Sequence, residues 1–181
     1  MCYNTIERIY GWSGQQLIVL GIDPGYAILG YGVVETRGSA LRAVDCGVIE
    51  TTAEMPFPER LERLYAGTRQ LVAKFHPEHV AFEELFFYRN VTTAIQVGAG
   101  RGVALLAAQQ SGLPLYEYTP MQIKLAVTGN GHADKRQVQN MVRALLCLSC
   151  VPKPDDAADA LAVAICHAHT MGPAAEEYRI K

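Results

Sequence analysis

The chain has 181 residues and is 50% hydrophobic, enough for one compact α/β domain with a sizeable core rather than two. A formal net charge of -2 excludes the overall basic footprint common in nucleic-acid-binding proteins, and no apolar run reaches the ~18 residues of a membrane span. The cysteines (Cys2, Cys46, Cys147, Cys150 and Cys166) are odd in number and scattered, which argues against a disulfide framework and for a reducing, cytoplasmic setting.

Residues 1–16 show no clear periodicity and no apolar stretch that would direct export, and are expected to form a flexible extension. The domain is expected over 17–170, followed by a tail over 171–181. Leu17 to Ile22 is a continuous apolar run, as in a strand buried on both faces, and stops at the turn Asp23-Pro24-Gly25. Gly30 to Val34 and Leu41 to Ile49, separated by Arg37-Gly38-Ser39, complete an antiparallel meander. Beyond Pro56 and Pro58, apolar residues from Leu61 to Phe75 recur at three- and four-residue spacing, the stripe of a helix covering the sheet. His79 to Glu83 reads as a strand returning parallel to the first, and Thr92 to Gln110 as a helix. Leu115 to Tyr118 makes a fifth strand, and Pro120 suits the first turn of a helix over Gln122 to Thr128. After the Gly129-Asn130-Gly131 break, Asp134 and Gln137 form a capping-box pattern ahead of another helix, and a last, alanine-rich helix runs from about Asp156 to His169. The expected fold is α/β: a five-stranded mixed sheet, three antiparallel strands then two parallel, flanked by helices.

Certain acids fall where this scaffold would hold them rigidly. Asp23 ends the first strand at a Pro-Gly turn, where it is read equally as a turn former or as a side chain projected into a cleft. Glu83 ends the apolar segment Val80-Ala81-Phe82, an uncommon place for an acid in a covered sheet, with a solvated acid at the strand's end as the alternative. Asp156 and Asp159 share one face of the first helical turns, where they suit the helix dipole as well as a ligand, with Asp155 the candidate cap that would leave Asp156 free. Four carboxylates on strand ends and a helix start match the oxygen ligands of magnesium, and two such ions can drive phosphodiester hydrolysis.

These residues and their order, Gly21-Ile22-Asp23-Pro24-Gly25, Gly30-Tyr31-Gly32, Phe82-Glu83-Glu84-Leu85-Phe86 and Asp156-Ala157-Ala158-Asp159-Ala160-Leu161-Ala162, resemble the RuvC family of Holliday junction resolvases, bacterial nucleases of RNase H-like fold. The resemblance spans Ile18 to about His169. It implies Asp23, Glu83, Asp156 and Asp159 as catalytic acids and ligands of Mg2+, with Mn2+ as a substitute and two ions per site. It also implies a homodimer that nicks a four-way DNA junction symmetrically, leaving ligatable 5′-phosphate and 3′-hydroxyl ends in recombination and repair, and RuvA-RuvB branch-migration partners. The extension ahead of Leu17 departs from the family, whose members begin almost at the first strand.

Positive charge is local: between Thr119 and Lys153, Lys124, Lys135, Arg136, Arg143 and Lys153 face only Asp134. Lys124, Lys135 and Arg136 are candidate phosphate contacts, the first two at positions the resemblance places near DNA, with solvated helix surface as the alternative. Phe86, Phe87 and Tyr88 follow Glu83, and three consecutive aromatics cannot all face inward. The resemblance favours Phe86 for stacking on an unpaired base, with Arg89 and Asn90 near phosphate. Gly98-Ala99-Gly100-Arg101-Gly102 imitates a phosphate loop but lacks the Lys-Ser/Thr ending, and is expected to serve close helix packing. Cys147 and Cys150 have ligand spacing without a second pair, so zinc is not expected. Two other readings compete: an actin-like or sugar-kinase ATP-binding lobe, against which the length argues, and a non-catalytic RNase H-like module.

Overall fold

The structure, a computed structural model, describes residues 16–85 and 91–181, so the expected N-terminal extension lies outside the described residues except for Gln16. Strands β1 (Leu17–Asp23), β2 (Ile28–Arg37), β3 (Ala40–Glu50), β4 (His79–Glu83) and β5 (Leu115–Tyr118) form one sheet in the order β3-β2-β1-β4-β5. The first three pair antiparallel, while β4 runs parallel to β1 and β5 parallel to β4. Helices α1 (Phe57–Phe75), α2 (Val91–Gln109), α3 (Pro120–Thr128), α4 (Lys135–Leu145) and α5 (Asp155–Thr170) flank it. None is long and apolar enough to cross a membrane.

The sheet divides two apolar layers, as a central strand buried on both faces requires. Leu20, Ile22, Val80 and Phe82 point towards α1 and α2, packing with Leu64, Leu71, Ala104 and Ala108. Leu17, Val19 and Ala81 point the other way, towards Leu161, Ile165, Ile123, Val138 and Val142 of α3, α4 and α5. Strand alternation therefore places Asp23 and Glu83 at the end of the layer that faces α5. Residues 171–181, expected as a tail, fold along β5: a 3-10 turn spans Pro173–Tyr178, Tyr116 bridges Arg179, and Ile180 N–H donates to Leu115 O at 2.9 Å.

Helix α5 lies unusually close to the sheet. A methyl group at Gly21 would stand 2.3 Å from Ala160 O, one at Gly30 2.1 Å from Asp156 O, and one at Gly32 2.6 Å from Leu161 N. Gly21 pairs with Gly32 and Asp23 with Gly30, so this patch seats the first turn of α5 over the end of β1. The helix reciprocates with alanines, and Ala157, Ala158, Ala160 and Ala164 are all buried. Because the neighbour at Gly30 is backbone, Gly30→Ala should cost about 3 kcal/mol through overpacking. The check is a lower urea midpoint at unchanged slope. An unshifted midpoint would mean that α5 can lift without cost.

Candidate active site

Each of the four acids is set in place by a different local feature. The parallel register of β1 and β4 runs through Ile22 and Phe82, and its next step sets Asp23 beside Glu83 at the strands' carboxyl ends. Gly30, opposite Asp23 on β2, passes under Asp156, whose Cβ would lie 3.2 Å from a methyl there. Asp159 follows one helical turn later and, with Glu83, lines an open cavity of about 310 Å³ shared with Ile123, Lys124, Lys135 and Val138. The basic wall is equally well anchored. Thr119 and Gln122 form a capping box on α3, which carries Lys124, and Asp134 and Gln137 form one on α4, which begins at Lys135.

Capping does not explain the acids of α5. Its N-cap is Pro154, and no side-chain bond caps the helix. Asp155, expected as the cap, is instead the first helical residue and bonds Lys153 Nζ at 2.6 Å. Pro154 supplies the extended backbone that enters the helix, so the helix starts one residue earlier, at Asp155.

The electrostatics are those of an under-compensated acidic cluster. Burial, then the charges of Glu83, Asp159 and Asp156, push the Asp23 carboxyl up to about 8, with only Lys135 opposing. Burial and Asp159 raise Glu83 to about 7 against Lys124 and Lys135. No hydrogen-bond donor among the described residues relieves either group. Burial also raises Asp159, although Lys135 donates to its Oδ2 at 2.9 Å. Burial works against the Lys135 charge, but Asp159 and then Asp155 outweigh it and hold the ammonium above its ordinary range.

No three His, Cys, Asp or Glu side chains among the described residues are arranged to hold a metal ion as they stand, with Lys135 engaged on Asp159. The donor set still fits a hard divalent cation. It offers carboxylate oxygens only, half-buried and mutually repelling.

Of the residues expected from sequence, Asp23, Glu83, Asp156 and Asp159 are brought to one edge, with Lys124 and Lys135 beside them. Arg136 is exposed on α4 and does not line the cavity. Phe86, Arg89 and Asn90 lie outside the described residues. The glycine motif behaves as packing only in part: a methyl group at Gly100 would stand 3.1 Å from Leu64 Cδ1, whereas one at Gly98 or Gly102 would meet nothing within 4 Å. Arg101, between them, pairs with Glu117 of β5. Sequence reasoning missed the inward turn of Lys135, for which the one legible signal was its place at the start of a boxed helix.

A mixed five-stranded sheet of this order, with acids gathered at the carboxyl edge under its last helix, defines a protein of the RNase H-like class. The family model for the crossover junction endodeoxyribonuclease RuvC matches residues 19–167. Relatives of that description include one from Desulfitobacterium hafniense, 59% identical over 155 residues and covering 86% of this chain and 94% of its own. Another, from Rubrobacter xylanophilus, is 58% identical over 164 residues, covering 90% and 92%. Among solved structures, Thermus thermophilus RuvC in complex with Holliday junction substrate superposes with a TM-score of 0.79 at 41% identity, covering 85% of this chain and 94% of that one. The chain belongs to the RuvC family of crossover junction endodeoxyribonucleases.

Proposed function

We propose that this protein is a metal-dependent endonuclease that resolves four-way DNA junctions in recombination and repair, acting in the cytoplasm through a single nuclease domain that begins at 17. The observation that carries the reading is the meeting of Asp23, Glu83, Asp156 and Asp159 at one edge of the sheet in a chain of this family. Those four residues would hold Mg2+, or Mn2+ in its place, as two ions per site. Such ions would supply an activated water and charge stabilisation at the leaving oxygen. The protein's own part is to fix the carboxylates on rigid elements and to face the scissile phosphate with Lys124 and Lys135. Arg136, Arg89 and Asn90 would hold backbone phosphates further out, which positions DNA without reading sequence, and Phe86 would stack on an unpaired base.

A homodimer would present two such sites to one junction, giving paired symmetric nicks with ligatable 5′-phosphate and 3′-hydroxyl ends, in concert with RuvA-RuvB. The test is cleavage of a synthetic four-way junction against a linear duplex of the same sequence, with the full chain and Mg2+. Junction-selective nicking that stops on chelation is expected. Equal cutting of both substrates would sink the structural selectivity, and no cutting in either metal would sink the nuclease reading.

A further inference from the structure

The Lys135 ammonium lies across two carboxylates of α5. Its Nζ is 2.9 Å from Asp159 Oδ2 and 3.6 Å from Asp155 Oδ2, and Lys153 holds the other oxygen of Asp155 at 2.6 Å. Asp155 and Asp159 are four residues apart on α5, so their carboxylates stand one turn apart on the same face. Lys135, fixed at the first position of α4 by the Asp134–Gln137 capping box, spans that turn. An ammonium on Asp159 Oδ2 and a divalent cation on the same carboxylate are like charges a few ångströms apart in a half-buried cleft and repel. Loading an ion onto Asp159 therefore favours the departure of Lys135 from it. Asp155, whose Oδ2 already lies 3.6 Å from the Lys135 ammonium, is the acceptor at hand, and its own exposure keeps it out of the acid cluster.

We propose, resting on the assignment of Asp159 to the metal, that Asp155 is a positioning residue that receives Lys135 when a divalent cation takes Asp159. Asp155 does not touch the ion. It eases loading by giving the displaced ammonium a partner, and it keeps Lys135 at the rim of the cleft, facing an incoming phosphate. A carboxylate pair on successive turns thus serves as a two-position rest for one lysine, and the Asp155-Asp156 doublet is explained without a second cap.

The experiment is calorimetric titration of the full chain with Mn2+, without DNA, for the parent protein, Asp155→Asn, Lys135→Met and the double variant, with circular dichroism confirming that each is folded. Lys135→Met should tighten Mn2+ binding about three- to fivefold, the scale of a half-exposed ion pair. Asp155→Asn should weaken it by a similar factor while Lys135 is present, and by less than about twofold in the Lys135→Met background. Equal weakening in both backgrounds would overturn the proposal, since Asp155 would then act as a ligand or a fixed charge. No weakening in either would overturn it as well. Asp159→Asn separates the underlying assignment: if it leaves Mn2+ affinity unchanged, the metal site itself is misplaced and the role of Asp155 falls with it.

Discussion

Asp23→Asn is expected to reduce junction cleavage by on the order of a thousandfold or more while leaving junction binding intact. Asp23 ends the central strand, and the charges of Glu83, Asp156 and Asp159 all act on it. An amide there keeps the shape of the side chain but removes a charged oxygen from the point on which the other acids converge. Binding has a different source. The phosphate backbone is attracted by cations such as Lys124 and Lys135, which Asp23→Asn leaves in place. Cleavage in Mg2+ and equilibrium binding by fluorescence anisotropy, at one fixed salt concentration, read the two effects separately. A variant that still cuts would return Asp23 to the role of a turn residue before Pro24-Gly25. One that neither cuts nor binds would place it in the DNA interface instead.

The two parts of that expectation were unequally legible in the sequence. Strand ends can be read from periodicity, because a run such as Leu17 to Ile22 must stop where Asp23-Pro24-Gly25 begins, and parallel pairing of β1 with β4 then follows from the helix between them. This much set Asp23 and Glu83 on one edge. The third side of the site was not legible, because it depends on how closely α5 approaches. That distance is set by Gly21, Gly30 and Gly32 against the α5 backbone, contacts between residues more than 120 positions apart that no local pattern encodes. The same limit explains Asp155 and Lys135. Spacing on a helix tells which residues share a face, as with Asp155 and Asp159, but not that a lysine from the preceding helix will lie across them. Helix-terminal acids look alike in sequence whether they cap, ligate or hold a neighbour, and only the identity of Pro154 as the cap separates these cases.

In the metal-free protein the acid cluster should lower stability as the pH rises from about 4 to about 8, opposed up to about 6.5 by the buried, neutral His167, and Mg2+ should restore it. Burial and repulsion hold Glu83 at about 7 and Asp23 at about 8, both well above the ordinary carboxylate range. The order is physical: Asp23 gives up its proton last, against the charge already left on Glu83. Between the ordinary carboxylate values and these raised ones, the two carboxyls bind more protons in the folded state than in the unfolded chain, so their contribution to stability falls with rising pH. The contribution is whole below about 4 and gone above about 8. A bound divalent ion replaces those protons, and it stabilises the fold in proportion to the logarithm of its concentration once above Kd. Asp23→Asn removes the larger share of the slope and, at pH 8 without metal, should stabilise the fold by on the order of 3 kcal/mol. That corresponds to a rise of about 6–12 °C in Tm for a chain of this size. Melting curves at pH 5, 6.5 and 8, with chelator and then with Mg2+, test each part. A pH-independent Tm in chelator, unchanged by Asp23→Asn, would mean that the acids are already neutralised by their surroundings and have no need of a cation. The expected outcome is the reverse, a variant more stable than its parent and inactive, because the repulsion that weakens the fold is what draws the metal in.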